Sequence, residues 1–141
     1  MSLFAQDNIE NKTILDFKDE NTTCSVRYVD IKKYPAYSAI IVYKNGKKQF
    51  FSSTKYMLKA YYKDEQNISK IYTADFASSR LMDAKKGYFV FGSNLLSLAG
   101  DDLIAFDSEE KANIFSKKHN GKKIMKFEKV SKRLVDYLDM K

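Results

Sequence analysis

The order of apolar and polar residues along the first half of the chain predicts two strands, a helix and a third strand. Asn45-Gly46 is the strongest local signal, because both central positions of a type I′ hairpin turn need positive φ. The polar run at 52–54 offers N-caps to the amphipathic stretch that follows it. The predicted elements are strands at 37–43, 49–51 and 68–76 and a helix at 55–63.

The second half repeats this order. Asp107 or Ser108 caps a predicted helix, since Asp107 and Glu110 have the capping-box spacing, and Asn120-Gly121 ends it. The inward face of this helix is expected to carry Ala112, Ile114 and Phe115. The predicted elements are strands at 87–91, 103–106 and 122–130, a leucine-rich loop at 94–100, the helix before 120, and a last helix at 131–140.

The repeated strand–cap–helix pattern, present in 49–61 and again in 104–116, predicts an internal duplication. The predicted fold class is α+β, with two tandem β-β-α-β halves and a C-terminal helix. The polar N-terminal stretch is interpreted as a loosely attached extension. The predicted boundaries are 1–22, 23–84, 85–130 and 131–141. The two sheets are expected to meet across Ile40, Val42, Phe50, Phe89, Phe91, Ile104 and Phe106.

Composition narrows the class of protein. The 141 residues are 44% hydrophobic and 30% charged, which is typical of a folded domain rather than a disordered chain. One Cys and one His exclude an intrachain disulfide framework and the two-His zinc motifs. The chain has neither a Gly-rich phosphate loop nor a G-x-S-x-G elbow, so we predict that it is not an enzyme.

The net charge of +7 is uneven along the chain. Residues 111–133 hold nine bases and one acid, Glu128. Such asymmetry fits either a solvated lysine-rich surface or an anionic partner. Phe115 and Phe127 lie among these lysines at predicted core positions, where they could not stack on exposed bases. We therefore predict no nucleic-acid partner.

Several stretches, taken in order, resemble one protein family. They are Asp75-Phe76-Ala77-Ser78, M-D-A at 82–84, G-Y-F-V-F-G-S-N at 87–94, G-D-D-L-I-A-F at 100–106, and 119–130. This order is similar to the NosL family of exported copper-binding accessory proteins, which are linked to nitrous oxide reductase maturation. The resemblance implies a fold of two β-β-α-β-type halves and a copper(I)-handling role. It also implies a protein partner, either the reductase or a maturation factor.

The family's metal motif is only partly present. Members commonly carry C-P-V-C-G-M near the first strand and P-M-G in a later loop, where this chain reads C-S-V-R-Y-V and L-A-G. Cys24 remains, but Arg27 and Val29 replace a Cys and a Met, and Ala99 replaces another Met. Cu(I) prefers soft thiolate and thioether ligands. Copper(I) binding is therefore predicted to be weak or absent.

Cys24 is the predicted copper ligand that remains. Met57 and Met82 are the candidate replacements for the lost thioethers, because both lie between the two pieces of the motif. The alternative is that Cys24 is a small buried hydrophobe and that the methionines fill the core. Arg27, if close to Cys24, would lower the pKa of its thiol. His119 is expected to lie at a helix C-terminus in a structural role.

The leucine-rich loop is the predicted partner-binding site. Leu95, Leu96 and Leu98, if exposed, form an apolar patch of the kind found at interaction sites; the alternative is that they pack into the core. Residues 1–5 lack the basic and apolar parts of a signal peptide, so the protein is either cytoplasmic or has lost an export segment. The resemblance favours a periplasmic protein, lipid-anchored through a removed lipoprotein signal.

The predicted function is that of an exported NosL-like accessory protein, a copper chaperone with a degraded copper site. The alternative is a protein-interaction or scaffold module that binds no metal.

Overall fold

Two antiparallel sheets with matching strand orders form the frame of the protein. The computed structural model describes residues 9–140. The strands are β1 (Ala39–Tyr43), β2 (Lys48–Phe51), β3 (Ile68–Ala74), β4 (Leu81–Asp83), β5 (Tyr88–Phe91), β6 (Ile104–Phe106) and β7 (Lys123–Lys126). The first sheet has the order β2-β1-β3-β4 and the second β6-β5-β7. In each sheet the first strand of a half lies between the second and the third, so both halves have the predicted β-β-α-β topology.

Three helices pack on these sheets, α1 (Thr54–Lys63), α2 (Glu109–Lys118) and α3 (Lys132–Met140). Serines cap the first two. The Tyr56 N–H donates to Ser53 Oγ at 3.2 Å, and the Lys111 N–H donates to Ser108 Oγ at 3.2 Å. Asn120 follows α2 with φ of 56°, the left-handed conformation expected at a helix end. The α+β fold class is confirmed.

The apolar residues form three clusters. The inter-sheet core lies between the two sheets and is closed by α1 and α3; its members include Ile41, Phe51, Met57, Phe89 and Val135. The N-terminal core lies on the opposite face of the first sheet and includes Ile14, Cys24, Ile40, Phe50 and Leu81. The α2 core lies under that helix and consists of Val90, Ile104, Phe106, Ala112 and Phe115. Fully burying one such side chain stabilises the folded state by about 1.5–3 kcal/mol relative to leaving it exposed.

The predicted interface between the sheets was wrong for most of its residues. Ile40, Val42 and Phe50 face the N-terminal core, whereas their neighbours Ala39, Ile41 and Phe51 face the second sheet. Ile104 and Phe106 belong to the α2 core, and of the seven residues only Phe89 and Phe91 lie in or against the inter-sheet core. Both faces of β1 are covered, so its sequence is apolar throughout and alternation cannot assign a face.

Two further expectations are corrected by burial. Ile114 does not face inward, because 63% of it is exposed on the outer side of α2. The loose attachment predicted for 1–22 is wrong for 9–22, where Ile9, Ile14 and Phe17 are buried. The backbone of this segment also pairs with β4, since the Asn11 N–H donates to the Leu81 carbonyl at 2.8 Å. Residues 1–8 lie outside the described part of the chain.

If the N-terminal segment is part of the fold, Ile14→Ala should lower the free energy of unfolding by about 2–5 kcal/mol, because it leaves a cavity in a closed cluster. Leu15, its neighbour, is 52% exposed. Leu15→Ala is the matched control and should change the free energy by about 0.5 kcal/mol or less. Urea denaturation measures both, and equal small effects would show that residues 9–22 add no stability.

Candidate functional site

The thiol of Cys24 lies inside a tight turn at residues 24–29. The Tyr28 N–H donates to the Cys24 carbonyl at 3.0 Å, and the Cys24 N–H donates to the Val29 carbonyl at 2.8 Å. Within the turn, the N–H groups of Val26 and Arg27 point at Cys24 Sγ, at 3.5 and 3.4 Å. Ser52 donates to the same sulfur from its N–H and its hydroxyl, both at 3.3 Å. Cys24 is completely buried.

These four donors change the acidity of the thiol. Burial of Cys24 is the largest single influence and disfavours the thiolate, but the Ser52 hydroxyl and the three N–H groups together outweigh it, so the pKa of Cys24 lies below its usual value. Arg27 contributes through its backbone N–H, and not through the guanidinium charge that the sequence suggested. These hydrogen bonds therefore favour the thiolate of Cys24, and the thiolate is the form of cysteine that binds metals.

The segment that carries Asp102 contacts the start of α1 at Ser53, the residue after Ser52. Asp102 is buried, and its carboxylate accepts hydrogen bonds from Ser53 Oγ at 2.7 Å and from the Lys55 N–H at 2.9 Å. It also accepts from Ser97 Oγ at 2.6 Å and from the Leu103 N–H at 2.7 Å. Burial raises the pKa of Asp102, and the four donors oppose that rise.

Lys55 is a buried cation at the same place. Its side chain is 2% exposed, and Nζ donates to the Ala99 carbonyl at 2.6 Å. Nζ also lies 3.8 Å from Asp139 Oδ1 on α3, and Lys59 forms an ion pair with the other oxygen of Asp139. The residues at the start of α1 thus contact both segments. Ser52 is bonded to Cys24, Ser53 to Asp102, and Lys55 to Ala99.

The three leucines of this loop differ in exposure. Leu96 is 58% exposed, whereas Leu95 and Leu98 are half-buried, Leu95 against the α2 core. The Tyr37 hydroxyl donates to the Leu96 carbonyl at 3.4 Å. Neither sequence-based alternative therefore holds for all three residues, since one leucine is exposed and the other two are half-buried.

His119 lies at the C-terminal end of α2, as its sequence position predicted. Its N–H donates to the Phe115 carbonyl at 2.9 Å, and its ring stacks on the Phe115 ring with centroids 4.5 Å apart. His119 Nδ1 lies 3.2 Å from Asn94 Oδ1, at the start of the leucine-rich loop. The imidazole therefore joins two segments of the second half.

With this geometry in place, comparison with known proteins identifies the family. Residues 16–135 match the family model described as NosL. The chain belongs to the NosL family. It is 28% identical over 126 residues to the copper-binding lipoprotein NosL of Stutzerimonas stutzeri, a match that covers 82% of this chain and 65% of that protein. The crystal structure of the copper chaperone NosL from Shewanella denitrificans has the same fold, with a TM-score of 0.70 at 20% identity, over 81% of this chain and 93% of that one.

The NosL pattern explains one backbone feature of the Cys24 turn. Tyr28 stands where the family pattern quoted above has Gly, and its φ is +57°. This left-handed conformation costs an L-residue about 1–2 kcal/mol, whereas Gly adopts it freely. Tyr28 is 79% exposed, so burial of its ring does not offset this unfavourable backbone energy. The φ of Tyr28 therefore suits the Gly of that pattern, although Arg27 and Val29 stand where the pattern has its second Cys and its Met.

The predicted thioether ligands do not lie beside Cys24. Met57 is fully buried in the inter-sheet core and Met82 packs against it, whereas Cys24 belongs to the N-terminal core on the other face of the first sheet. That N-terminal core contains neither Met nor His. Among residues 9–140, no group of three or more His, Cys, Asp or Glu side chains is arranged to hold a metal. The described residues around Cys24 therefore do not form a complete Cu(I) site.

Sequence reasoning missed Ser52, Lys55 and Asp102. The polar run at 52–54 is expected only to cap α1, and no role is predicted for the side chain of Lys55 or Asp102. The available signal was the pair of serines before α1, since one cap needs only one of them. No helix in the described residues is long and apolar enough to cross a membrane.

Removing the Ser52 hydroxyl should raise the pKa of Cys24. Ser52→Ala deletes the strongest of the donors that stabilise the thiolate, while burial of the sulfur is unchanged. The thiolate absorbance of this single-Cys protein, followed against pH in the ultraviolet, measures the shift. Ser25→Ala in the same turn is the control and should leave the titration where it is; an unshifted titration in Ser52→Ala would show that the hydroxyl does not act on the sulfur.

Proposed function

We propose that this protein is a non-catalytic accessory protein that handles Cu(I) as cargo, with Cys24 as its thiolate ligand. The observation that carries the proposal is the Cys24 turn, in which four donors favour the thiolate. The turn is joined through Ser52, Ser53 and Lys55, at the start of α1, to the loop where the family pattern has a further Met. The names of the Stutzerimonas and Shewanella relatives, a copper-binding lipoprotein and a copper chaperone, support the same role.

Cys24 alone cannot complete the coordination shell of Cu(I), which needs at least two soft ligands for tight binding. Ala99 supplies none, and the ammonium of Lys55 is bonded to the Ala99 carbonyl. A buried cation at this position opposes a second cation nearby. The isolated protein therefore holds Cu(I) weakly or not at all, and a partner supplies the missing ligand during transfer.

The proposed partners are nitrous oxide reductase or a maturation factor, and the proposed location is the periplasm. The word lipoprotein in the Stutzerimonas relative's name supports an exported, lipid-anchored protein. The proposed contact with the partner is the leucine-rich loop, where Leu96 is exposed and Leu95 packs against the α2 core.

The second candidate function is a scaffold or interaction module that binds no metal. Specific observations favour it: Lys55 and Ala99 occupy the region where the family pattern has a thioether, and Cys24 is fully buried. In this case the sulfur would serve only as a hydrogen-bond acceptor for the turn.

An anaerobic titration of Cu(I) against a calibrated chelator separates the two functions. The wild type should show one weak site or none, and any site should vanish in Cys24→Ala and persist in His119→Ala. Ala99→Met restores a thioether and should strengthen binding at least about tenfold if Cys24 and the loop share a site.

Absence of binding in both the wild type and Ala99→Met would reject the copper role and leave the scaffold role. Sub-picomolar affinity that survives Cys24→Ala would show that the copper site is elsewhere. Tight wild-type binding lost in Cys24→Ala would show that the missing thioethers matter less than the ligand chemistry implies.

A further inference from the structure

We propose that the leucine-rich loop (94–100) and the basic turn beside it (117–123) form one docking surface for an acidic protein segment that carries apolar side chains. The proposal rests on the proposed accessory role and names the chemistry of its partner. It depends on three features of the described residues: the joint between loop and turn, the exposed aliphatic side chains, and the lysines that have no acidic partner.

The loop and the turn are joined by backbone and side-chain contacts. The Asn94 N–H donates to the His119 carbonyl at 2.8 Å, and the two side chains meet at 3.2 Å. The Lys122 N–H donates to the Phe91 carbonyl at 2.8 Å. The Lys122 side chain lies across Gly92, where an added Cβ would be only 2.9 Å from it. The basic turn is therefore held against the start of the loop.

Two exposed aliphatic side chains border this joint. Leu96 is 58% exposed and Ile114 is 63% exposed. Ile114 shares the outer face of α2 with Lys117 and Lys118, because residues three and four apart lie on one side of a helix. A partner that covered these two side chains would remove their apolar surface from water, which favours association.

The cations of the turn are uncompensated. Lys117, Lys118, Lys122 and Lys123 are exposed, and none makes an ion pair with a residue in the 9–140 range. Lysines on either side of this turn do have carboxylate partners: Lys111 pairs with Asp75 and Asp107, and Lys132 with Asp136. Among the described residues, positive charge is thus left over in the turn that is bonded to the start of the leucine-rich loop.

The arrangement fits a protein segment better than a lipid surface or a nucleic acid. Asp101 follows this loop in the sequence, so the region is not uniformly positive, whereas a flat layer of anionic headgroups is uniformly negative. A peptide can place its acidic side chains over the lysines and its apolar side chains over Leu96. Phe115, the aromatic residue of α2 beside the basic turn, is buried and cannot stack on bases.

The test uses the full chain labelled with ¹⁵N and a short peptide of alternating Glu and Leu residues as the probe. The peptide should shift the amide signals of 94–100 and 117–123. Affinity should fall about tenfold in Lys117→Glu/Lys118→Glu, since reversal replaces attraction by repulsion, and should also fall in Leu96→Ser. The matched control is Lys44→Glu/Lys47→Glu, which makes the same change of net charge at the β1–β2 turn and should leave the affinity within about twofold.

Several results would overturn the proposal. One is a set of shifts outside the two segments, and another is an equal loss of affinity in the control variant. Equal binding of phosphatidylglycerol vesicles or of a single-stranded oligonucleotide through the same residues would assign another class of partner. Self-association lost in Leu96→Ser would assign the surface to a second copy. A large fall in the melting temperature of Leu96→Ser would place Leu96 in the core. The test contains no copper, so its failure and that of the copper titration are distinguishable.

Discussion

The buried carboxylate of Asp102 is the interaction on which the arrangement of this protein depends. A buried charge is costly unless its oxygens are hydrogen-bonded, and Asp102 has four donors. Two belong to the start of α1 in the first half and two to its own loop in the second half. The carboxylate also lies at the N-terminus of α1, where negative charge is favoured by the helix dipole. One side chain therefore fixes the relative position of α1 and the leucine-rich loop.

Two serines just before α1 connect Asp102 to Cys24. Ser53 is bonded to Asp102 and caps the helix, which leaves its neighbour Ser52 free to donate twice to the sulfur. The start of α1 thus contacts two groups: the sulfur of Cys24, whose surroundings favour the thiolate, and the loop carbonyl that accepts from the buried ammonium of Lys55. The ammonium of Lys55 holds the loop to α1 by donating to the Ala99 carbonyl, and this contact forms without a metal. This arrangement is the physical reason to expect a folded NosL frame with weak affinity for Cu(I).

Features decided by near neighbours in the sequence could be predicted from it. The hairpin at Asn45-Gly46, the serine caps of α1 and α2 and the helix end at Asn120 depend on a few adjacent residues, and all are present. The type I′ turn expected in the hairpin was wrong, because only Gly46 of the pair has a positive φ, of 88°. The face assignment of β1 could not be predicted, because Ile40 and Ile41 are both buried, each by a different layer. Ile114 fits an inward helical stripe, yet the inner face of α2 is already filled by Ala112 and Phe115.

The local part of the candidate site could be predicted from the sequence, and the part that depends on distant residues could not. Cys24 could be located by its motif, since the turn around it is local. Its donor Ser52 lies 28 residues away, and Asp102 lies 49 residues from Ser53. Pairs so distant are brought together by the packing of two halves, and no local pattern records them. Met57 and Met82 lie between the motif pieces in sequence but on the far face of the sheet in space.

The central claim is that Asp102 and the Cys24 turn are coupled through α1. Amide hydrogen exchange of Asp102→Ala tests it most directly, with Asp136→Ala, which removes an exposed ion pair of little energetic weight, as the control. The account predicts faster exchange in Asp102→Ala for the Val26 and Arg27 amides that point at the sulfur, together with the amides of 97–103. Faster exchange confined to 97–103, with the amides of Val26 and Arg27 unchanged, would contradict it.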